Sequence, residues 1–340
     1  MTRVGIIGLG FMGQTHIKSY SQVPDAKIVA IADRNPKRAS GDFSGGWGNL
    51  GEGQGAAGFD SKAVFSTTDF HALINHPEVD VVDICAPTPS HLDLALAALA
   101  AGKHVILEKP LTRTASEADQ LVQAAAKSKG FLMPAMCIRF WPEYAFLKQA
   151  TADNRYGKVR SASFTRLGAA PPGWFRDGKL SGGGILDLHL HDTDFVQYLF
   201  GMPTAITSSG YPAVSGEIDH LQTLYHYDHI PIVTSEGGWI DIDGYPFTMR
   251  FTVTFERASI DFDLARKPAL RIIEAGKIST PEFEPIDGWI AELRYFIDCV
   301  SKGTRPTIVT PEDQARSIRM VEAESQSCRS GKTIQLLPNP

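Results

Sequence analysis

The sequence predicts an α/β chain in two parts. A parallel sheet wound with helices comes first, followed by an α+β domain built on a large, mostly antiparallel open sheet. Three observations predict it. An apolar run, Val4 to Ile7, leads straight into Gly8-Leu9-Gly10-Phe11-Met12-Gly13, and the acid Asp33 follows twenty residues after Gly13. Short apolar runs then alternate with helical segments as far as Met136. From about Tyr156 the pattern turns to period two, and no helices separate the later strands.

Val4–Ile7 reads as a buried strand, Met12–Tyr20 as a helix and Lys27–Ala32 as a second strand. In the turn between them Gly8 permits the tight bend and Gly10 lets backbone approach a pyrophosphate. Gly13 lets helix and strand pack closely, while Phe11 and Met12 open a helix whose free N–H groups face phosphates. Asp33 stands where a carboxylate accepts hydrogen bonds from ribose hydroxyls. The whole series reads as a Rossmann dinucleotide site. Gly41–Asp60 holds too many glycines for a helix. A long loop, either a plain surface loop or a lid, replaces the helix expected near the adenosine end.

Asp69–His76 reads as a short helix, and Val79–Ala86 as a central strand broken by Pro87-Thr88-Pro89-Ser90-His91. Leu92–Ala101 is a helix stopped by Gly102, and His104–Leu107 is a strand with Glu108-Lys109-Pro110 at its end. Thr114 and Glu117 are spaced as a capping box for a helix to Lys127, and Phe131–Met136 is the last strand of the first domain. Ligands bind outside the carboxyl ends of parallel strands. Pro87, Thr88, His91, Glu108 and Lys109 therefore fall on the dinucleotide side. Residues 1–136 form this domain.

Residues 137–340 are expected to bind substrate and to drive oligomerisation. Val159–Arg166, Leu221–Tyr227, Ile232–Ile240, Thr248–Glu256, Ser259–Phe262 and Leu270–Glu274 read as strands, and Glu282–Ser301 and Pro311–Ser330 as closing helices. Phe251, Val253 and Phe255 alternate with Arg250, Thr252 and Thr254, which gives an apolar face for a homodimer or homotetramer contact, unless helices cover it within the monomer.

A formal charge of −5 argues against nucleic acid as the partner. The apolar stretches are too short to span a membrane, and the N-terminus reads as a strand rather than a signal peptide. Cys85, Cys137, Cys299 and Cys328 form no metal or redox pair and read as buried thiols of a reducing cytoplasm.

The second informative segment is Gly182-Gly183-Gly184-Ile185-Leu186-Asp187-Leu188-His189-Leu190-His191, read as close backbone approach followed by a helix to Phe200. Asp187 and His191 are four apart and share a face, while His189 diverges. A carboxylate and an imidazole on one face make a candidate proton-transfer pair. Arg139 is a candidate for a substrate oxygen, with Phe140 and Trp141 beside it, and Trp174 with Arg176 for a sugar-stacking wall. His220, His226 and His229 lack the companions of a metal site, and no metal is expected.

The glycine fingerprint, Glu108-Lys109-Pro110 and the Gly182–His191 segment together resemble the glucose–fructose oxidoreductase / inositol dehydrogenase / rhizopine catabolism (Gfo/Idh/MocA) family. The landmarks extend over almost the whole chain. The resemblance implies hydride transfer between a nicotinamide cofactor and a secondary alcohol carbon of a sugar or polyol. Lys109, Asp187 and His191 would surround the reacting carbon in the cleft between domains. His191 is then the natural base, since imidazole titrates near ~6.5. Lys109 stabilises the alcohol oxygen, and Asp187 orients His191 or binds a neighbouring hydroxyl. One departure is His189, which stands where the family has glycine. Asp33 favours NAD, while Arg34, Lys37 and Arg38 keep NADP open. The alternatives are an NAD-assisted glycoside hydrolase and a catalytically silent cofactor-binding sensor or regulator.

Overall fold

The apolar runs of the first 136 residues form one six-stranded parallel sheet. In chain order the elements are β1 (Thr2–Ile7), α1 (Phe11–Tyr20), β2 (Ala26–Ala32), α2 (Pro36–Ala39), β3 (Trp47–Gly48), β4 (Gly51–Glu52), β5 (Phe65–Thr67), α3 (Phe70–Ile74), β6 (Val81–Ile84), α4 (His91–Ala100), β7 (His104–Glu108), α5 (Ala115–Lys127) and β8 (Leu132–Ala135). The computed structural model describes residues 1–43, 47–48, 51–52 and 59–336. Most of the glycine-rich Gly41–Asp60 loop, and with it the lid reading, lies outside them. The sheet runs β5-β2-β1-β6-β7-β8, with β3 and β4 paired apart from it. Chain order reverses between β1 and β6, where such sheets bind ligands. β1 and β6 are in register from Val4↔Val81 to Ile7↔Ile84. Val4, Ile6, Ile7, Val81, Val82 and Ile84 are all fully buried, as strands covered on both faces must be. Thr114 and Glu117 form the capping box that starts α5.

The remainder contains α6 (Pro142–Ala152), β9 (Val159–Ala169), α7 (Gly178–Ser181), α8 (Leu190–Phe200), β10 (Ala205–Tyr211), β11 (His220–His226), β12 (Ile232–Ile240), β13 (Thr248–Phe255), β14 (Ala258–Asp263), β15 (Leu270–Glu274), β16 (Lys277–Ser279), α9 (Gly288–Lys302), α10 (Pro311–Ser330) and β17 (Ile334–Gln335). Nine strands form one sheet in the order β16-β15-β14-β13-β9-β12-β11-β10-β17. Every pairing is antiparallel except β9 with β12. That single parallel pair follows from α7 and α8 lying between the two strands, since a parallel return needs a long crossover. β10, β16 and β17 had no clear alternating signal.

The chain divides into two compact units, Met1–Phe140 with Ile286–Ala315, and Trp141–Pro285 with Arg316–Pro340. Residues 286–315, counted with the 137–340 domain from the sequence, thus pack with the first unit. The reason is apolar: Leu293, Phe296 and Ile297 of α9, with Val309, join the core built on Val4, Ile6, Val81 and Met133.

Two expectations are corrected here. Phe251, Val253 and Phe255 are not an open face, because all three are buried. Tyr144 of α6 packs edge-on to Phe251 at 5.0 Å, and Phe195 of α8 packs against Tyr144 and Phe164. Of the four cysteines only Cys299 is buried as a whole residue; Cys85, Cys137 and Cys328 are half-buried, although burial still pushes the Cys85 thiol up. Among the described residues no helix is long and apolar enough to cross a membrane.

Candidate active site

The three fingerprint glycines answer to different constraints. Gly8 has φ +89°, and a Cβ there would lie 2.6 Å from the Ala86 backbone nitrogen. At Gly13 a Cβ would stand 2.0 Å from the Gly8 carbonyl oxygen, so the close contact of turn and helix requires glycine. Gly10 has neither constraint. Its φ of −69° suits any residue, and among the described residues nothing lies within 4 Å of a Cβ placed there. The space beside it is open to a group from outside the chain. α1 begins beside that space with no side chain capping its N-terminus, so its first N–H groups and positive dipole end remain for an anion. The turn fits a dinucleotide pyrophosphate.

Asp33 is buried and holds this turn in shape. One carboxylate oxygen accepts from the Leu9 N–H at 2.7 Å and the other from the Asn35 N–H at 2.8 Å. A carboxylate has further lone pairs, so it still accepts from ribose hydroxyls. The Arg34 guanidinium lies over the Phe70 ring at 5.4 Å. Pro87 is exposed and precedes a single tight turn, Thr88–Ser90, in which Thr88 is buried.

Two residues expected to touch the cofactor do other work. Both ring nitrogens of buried His91 face carbonyls, Nδ1 that of Pro110 and Nε2 that of Ala86, each at 2.8 Å. Burial draws its pKa down, although both carbonyls favour the proton. His91 therefore braces the two loops that follow β6 and β7 and offers no ring nitrogen to a ligand. Glu108 is buried. Its Oε2 accepts from the Lys109 N–H at 3.0 Å, and its Oε1 stands 3.2 Å from His16 Nε2. Lys109 itself is half-buried at the carboxyl end of β7, before a cis peptide to Pro110.

Arg139 is also corrected. Its side chain is fully buried and donates to the Ile308 carbonyl at 2.7 Å and to Asp313 at 3.0 Å. A substrate cannot reach it. Phe140 packs on Tyr295, with ring centres 5.3 Å apart. Trp174 is half-buried and stacked on Phe175 at 4.1 Å, and Arg176 pairs with Asp241 at 3.1 Å on the surface.

In the second unit Asp187 lies in a π-helical turn, Ile185–His189, that runs directly into α8, and His191 is the second residue of α8. Such widened turns recur at functional sites. The glycines before it serve the protein. Gly182 and Gly183 have φ near +80°, and a Cβ at Gly184 would meet the Asp219 carbonyl at 2.2 Å. Asp219 in turn accepts from the N–H groups of Ala213, Val214, Ser215 and Gly184 at 2.7–3.1 Å.

His189 is turned into the core of the second unit. It is fully buried, with Nε2 3.3 Å from Glu324 of α10. Tyr225 donates to the same carboxylate at 2.6 Å and Thr193 at 3.1 Å. Its ring sits against Gly237, where a Cβ would lie 2.4 Å from Nδ1, so a small residue on β12 accommodates the large one on the turn. On the metal reading, His220 pairs with Glu236 and Tyr211, and His226 with Thr207, which are ordinary surface contacts.

Two family models match the chain. The oxidoreductase family with an NAD-binding Rossmann fold covers residues 2–136, and the Gfo/Idh/MocA C-terminal domain covers 144–261. The chain belongs to the Gfo/Idh/MocA oxidoreductase family. As a member of that family it is an oxidoreductase with an NAD-binding Rossmann unit. It is 27% identical to scyllo-inositol 2-dehydrogenase (NAD(+)) of Bacillus subtilis, over 98% of this chain and 96% of that protein. It is 25% identical to myo-inositol 2-dehydrogenase of Thermotoga maritima, over 98% of both. A solved levoglucosan dehydrogenase, in complex with NADH and levoglucosan, shares the fold at TM-score 0.84 and 22% identity, over 98% of this chain and 99% of that one.

Several residues of this Gfo/Idh/MocA chain were missed in the sequence: His16, Asp83, Asp219, Glu292 and Glu324. Asp83 had a signal, because it interrupts the apolar run Val81-Val82-Asp83-Ile84 and a carboxylate inside a buried strand demands a partner. The others sit on helices and loops whose patterns do not mark them.

Proposed function

We propose that this chain is an NAD-dependent dehydrogenase that moves hydride between nicotinamide and a secondary alcohol carbon of a sugar or cyclic polyol. The supporting observation is the bare Gly10 face at the uncapped N-terminus of α1, in a chain similar over 98% of its length to an NAD(+)-dependent inositol dehydrogenase. When bound, the cofactor supplies the hydride acceptor or donor. In the oxidative direction His191 takes the hydroxyl proton, the freed O–H electron pair forms the C=O bond, and the hydrogen of the carbinol carbon leaves with its bonding pair as hydride. Lys109 hydrogen-bonds the alcohol oxygen and offsets its growing negative charge. Asp187 orients His191 or binds an adjacent hydroxyl. Trp174 is the candidate stacking surface for a sugar ring. Asp33 accepts from both ribose hydroxyls and repels a 2′-phosphate, so NAD is preferred over NADP.

The test is a panel of inositols, sugars and anhydrosugars with NAD or NADP, read at the NADH absorbance. Stoichiometric NADH from one substrate supports the reading, whereas glycoside cleavage without net NADH overturns it in favour of a hydrolase. Lys109→Ala and His191→Ala are expected to lose ~10²–10⁴-fold in turnover, as loss of a general acid–base group does, with NADH affinity nearly unchanged. A His191→Ala enzyme with normal turnover removes the assignment. The four thiols suit a reducing cytoplasm. We further infer a homodimer or homotetramer. With Phe251, Val253 and Phe255 buried in the monomer, the surface for it is the opposite face of the sheet, carrying Ser163, Leu224, Arg250 and Thr252. A monomer mass by light scattering removes that inference.

A further inference from the structure

One buried donor of the second unit has no use in the mechanism above. Trp239, near the end of β12, is fully buried, and its indole Nε1 has no hydrogen-bond partner among the described residues. Its backbone is satisfied, since the Trp239 main-chain N–H donates to the Asp219 carbonyl at 2.7 Å. A buried indole N–H normally has a partner, and leaving it without one costs the free protein stability.

The surroundings of the indole point to what pairs with it. The buried face of β12 carries Ser235, Gly237 and Trp239, and successive members of that face stand about 7 Å apart. His189 packs over Gly237, and Gly184 lies against the Trp239 backbone, where a Cβ would meet the nitrogen at 3.0 Å. The turn that carries Asp187 therefore runs along β12 from Trp239 to Gly237, with Trp239 at its glycine end. Phe175 packs on the indole, with ring centres 6.2 Å apart and planes at 87°, and Trp174 stacks on Phe175 at 4.1 Å. Phe175 is only half-buried. It belongs to the short turn Gly173–Arg176, whose far end is tied to the chain after β12 by Arg176 and Asp241 at 3.1 Å. Both members of that pair are exposed, and such a pair contributes little. The indole is thus covered by an aromatic ring on a short, weakly fastened turn.

We propose that Trp239 is a substrate-binding residue, whose indole N–H donates to a hydroxyl oxygen of the sugar or polyol ring as Phe175 gives way. This rests on the reading of the chain as a sugar or polyol dehydrogenase.

The chemistry favours a neutral, hydroxylated ring. An indole N–H is an uncharged donor and the Asp187 carboxylate on the neighbouring turn is an acceptor, while a polyol hydroxyl both accepts and donates. The aromatic faces of Trp174 and Phe175 suit the C–H faces of such a ring, with the polar groups fixing its orientation. The donor also confers selectivity. It is already out of water in the free protein, so a hydroxyl that reaches it restores a missing bond. A ligand without that hydroxyl leaves the donor unpaired, and sites built to pair a hydroxyl discriminate strongly against analogues that lack it.

The test is a cycle between one side chain and one hydroxyl. Trp239→Phe keeps a ring against Phe175 and deletes the N–H. The probe is the inositol, sugar or anhydrosugar that the panel above finds oxidised, together with its monodeoxy analogues. In the unaltered protein, loss of one particular hydroxyl is expected to raise KM about 5- to 100-fold. In Trp239→Phe the parent compound already shows the raised KM, and loss of that hydroxyl changes it no further, while the other hydroxyls keep their effects. The Kd for NADH stays unchanged. A variant in which every deoxy analogue loses as much as it does in the unaltered protein overturns the proposal, because an indole that only packs the fold has no hydroxyl of its own. If Trp239→Phe does not fold, a crystal structure of the unaltered protein with NADH and the probe decides. Nε1 within about 3.2 Å of a ring hydroxyl oxygen is expected, and an indole with no ligand oxygen in reach overturns the proposal. A panel in which no compound yields NADH is the separate result that removes the dehydrogenase reading itself, and the proposal with it.

Discussion

Substituting Gly10 and Gly13 one at a time separates a glycine kept for a ligand from a glycine kept for the fold. At Gly10 the backbone has φ −69° and ψ −159°, and among the described residues nothing lies within 4 Å of an added Cβ. Gly10→Ala therefore introduces no clash and no strain. Its folding cost is only the poorer N-cap, up to about 1 kcal/mol. The methyl group stands instead where the pyrophosphate approaches α1. Displacing one N–H to phosphate hydrogen bond loses about 1.5–3 kcal/mol. At about 1.4 kcal/mol per tenfold, that weakens NADH binding roughly 10- to 150-fold. At Gly13 the added Cβ would lie 2.0 Å from the Gly8 carbonyl, where contacts under 3.0 Å essentially do not occur, so turn and helix must part. Gly13→Ala is expected to destabilise the cofactor-free protein by about 1–3 kcal/mol through overpacking. The assays are denaturant unfolding without cofactor and NADH fluorescence titration. Gly10→Ala that binds NADH normally, or that unfolds as readily as Gly13→Ala, refutes the reasoning.

His189→Ala removes a hydrogen bond from the buried Glu324 carboxylate and is expected to cost about 1–3 kcal/mol of stability, with substrate KM unchanged; a raised KM would place His189 at the substrate after all. Arg139→Met leaves Asp313 without its buried partner and is expected to destabilise by about 3–5 kcal/mol, seen as a lower denaturant midpoint, while retaining NADH binding in the folded fraction. Asp219 gives a pH signature. Burial alone would raise its pKa, but the hydroxyl of Ser215 and the N–H groups of Ser215, Val214 and Ala213 hold it below the ordinary value. A depressed folded pKa contributes stability that is fully present above the unfolded value of about 3.9 and is lost as pH falls through the folded value beneath it. The melting-temperature gap between the unaltered protein and Asp219→Asn is thus expected to be constant near neutrality and to narrow in acid below about pH 4; a gap that persists in acid contradicts the assignment.

Local rules were enough wherever one segment carries its own reason. The strand–turn–helix series at Gly8–Gly13 needs no distant partner to be recognised, because three glycines, a helix start and a following acid have one common explanation. The capping box at Thr114 and Glu117 was legible for the same reason, since both halves lie within four residues. Alternation located the main strands of the second sheet because one face is buried against helices, and a period of two records that burial. What the sequence could not decide was which neighbour a side chain meets across the fold. Arg139, His91 and Glu108 are residue types that bind ligands, and each stands near a place where a ligand is expected. Each is instead spent on the protein: Arg139 on Asp313, far along the chain, His91 on two loop carbonyls, and Glu108 on His16 and the Lys109 N–H. Phe251, Val253 and Phe255 were correctly read as one apolar face, but whether α6 and α8 or another subunit covers it is a question of packing. His189 was visible as a departure from the family, and only the carboxylate of Glu324 together with the bare backbone of Gly237 explains it. Backbone geometry and turn chemistry are local, so the chain determined them residue by residue. Buried polar groups must be satisfied by whatever the fold brings near, so their roles were decided only when the fold was complete.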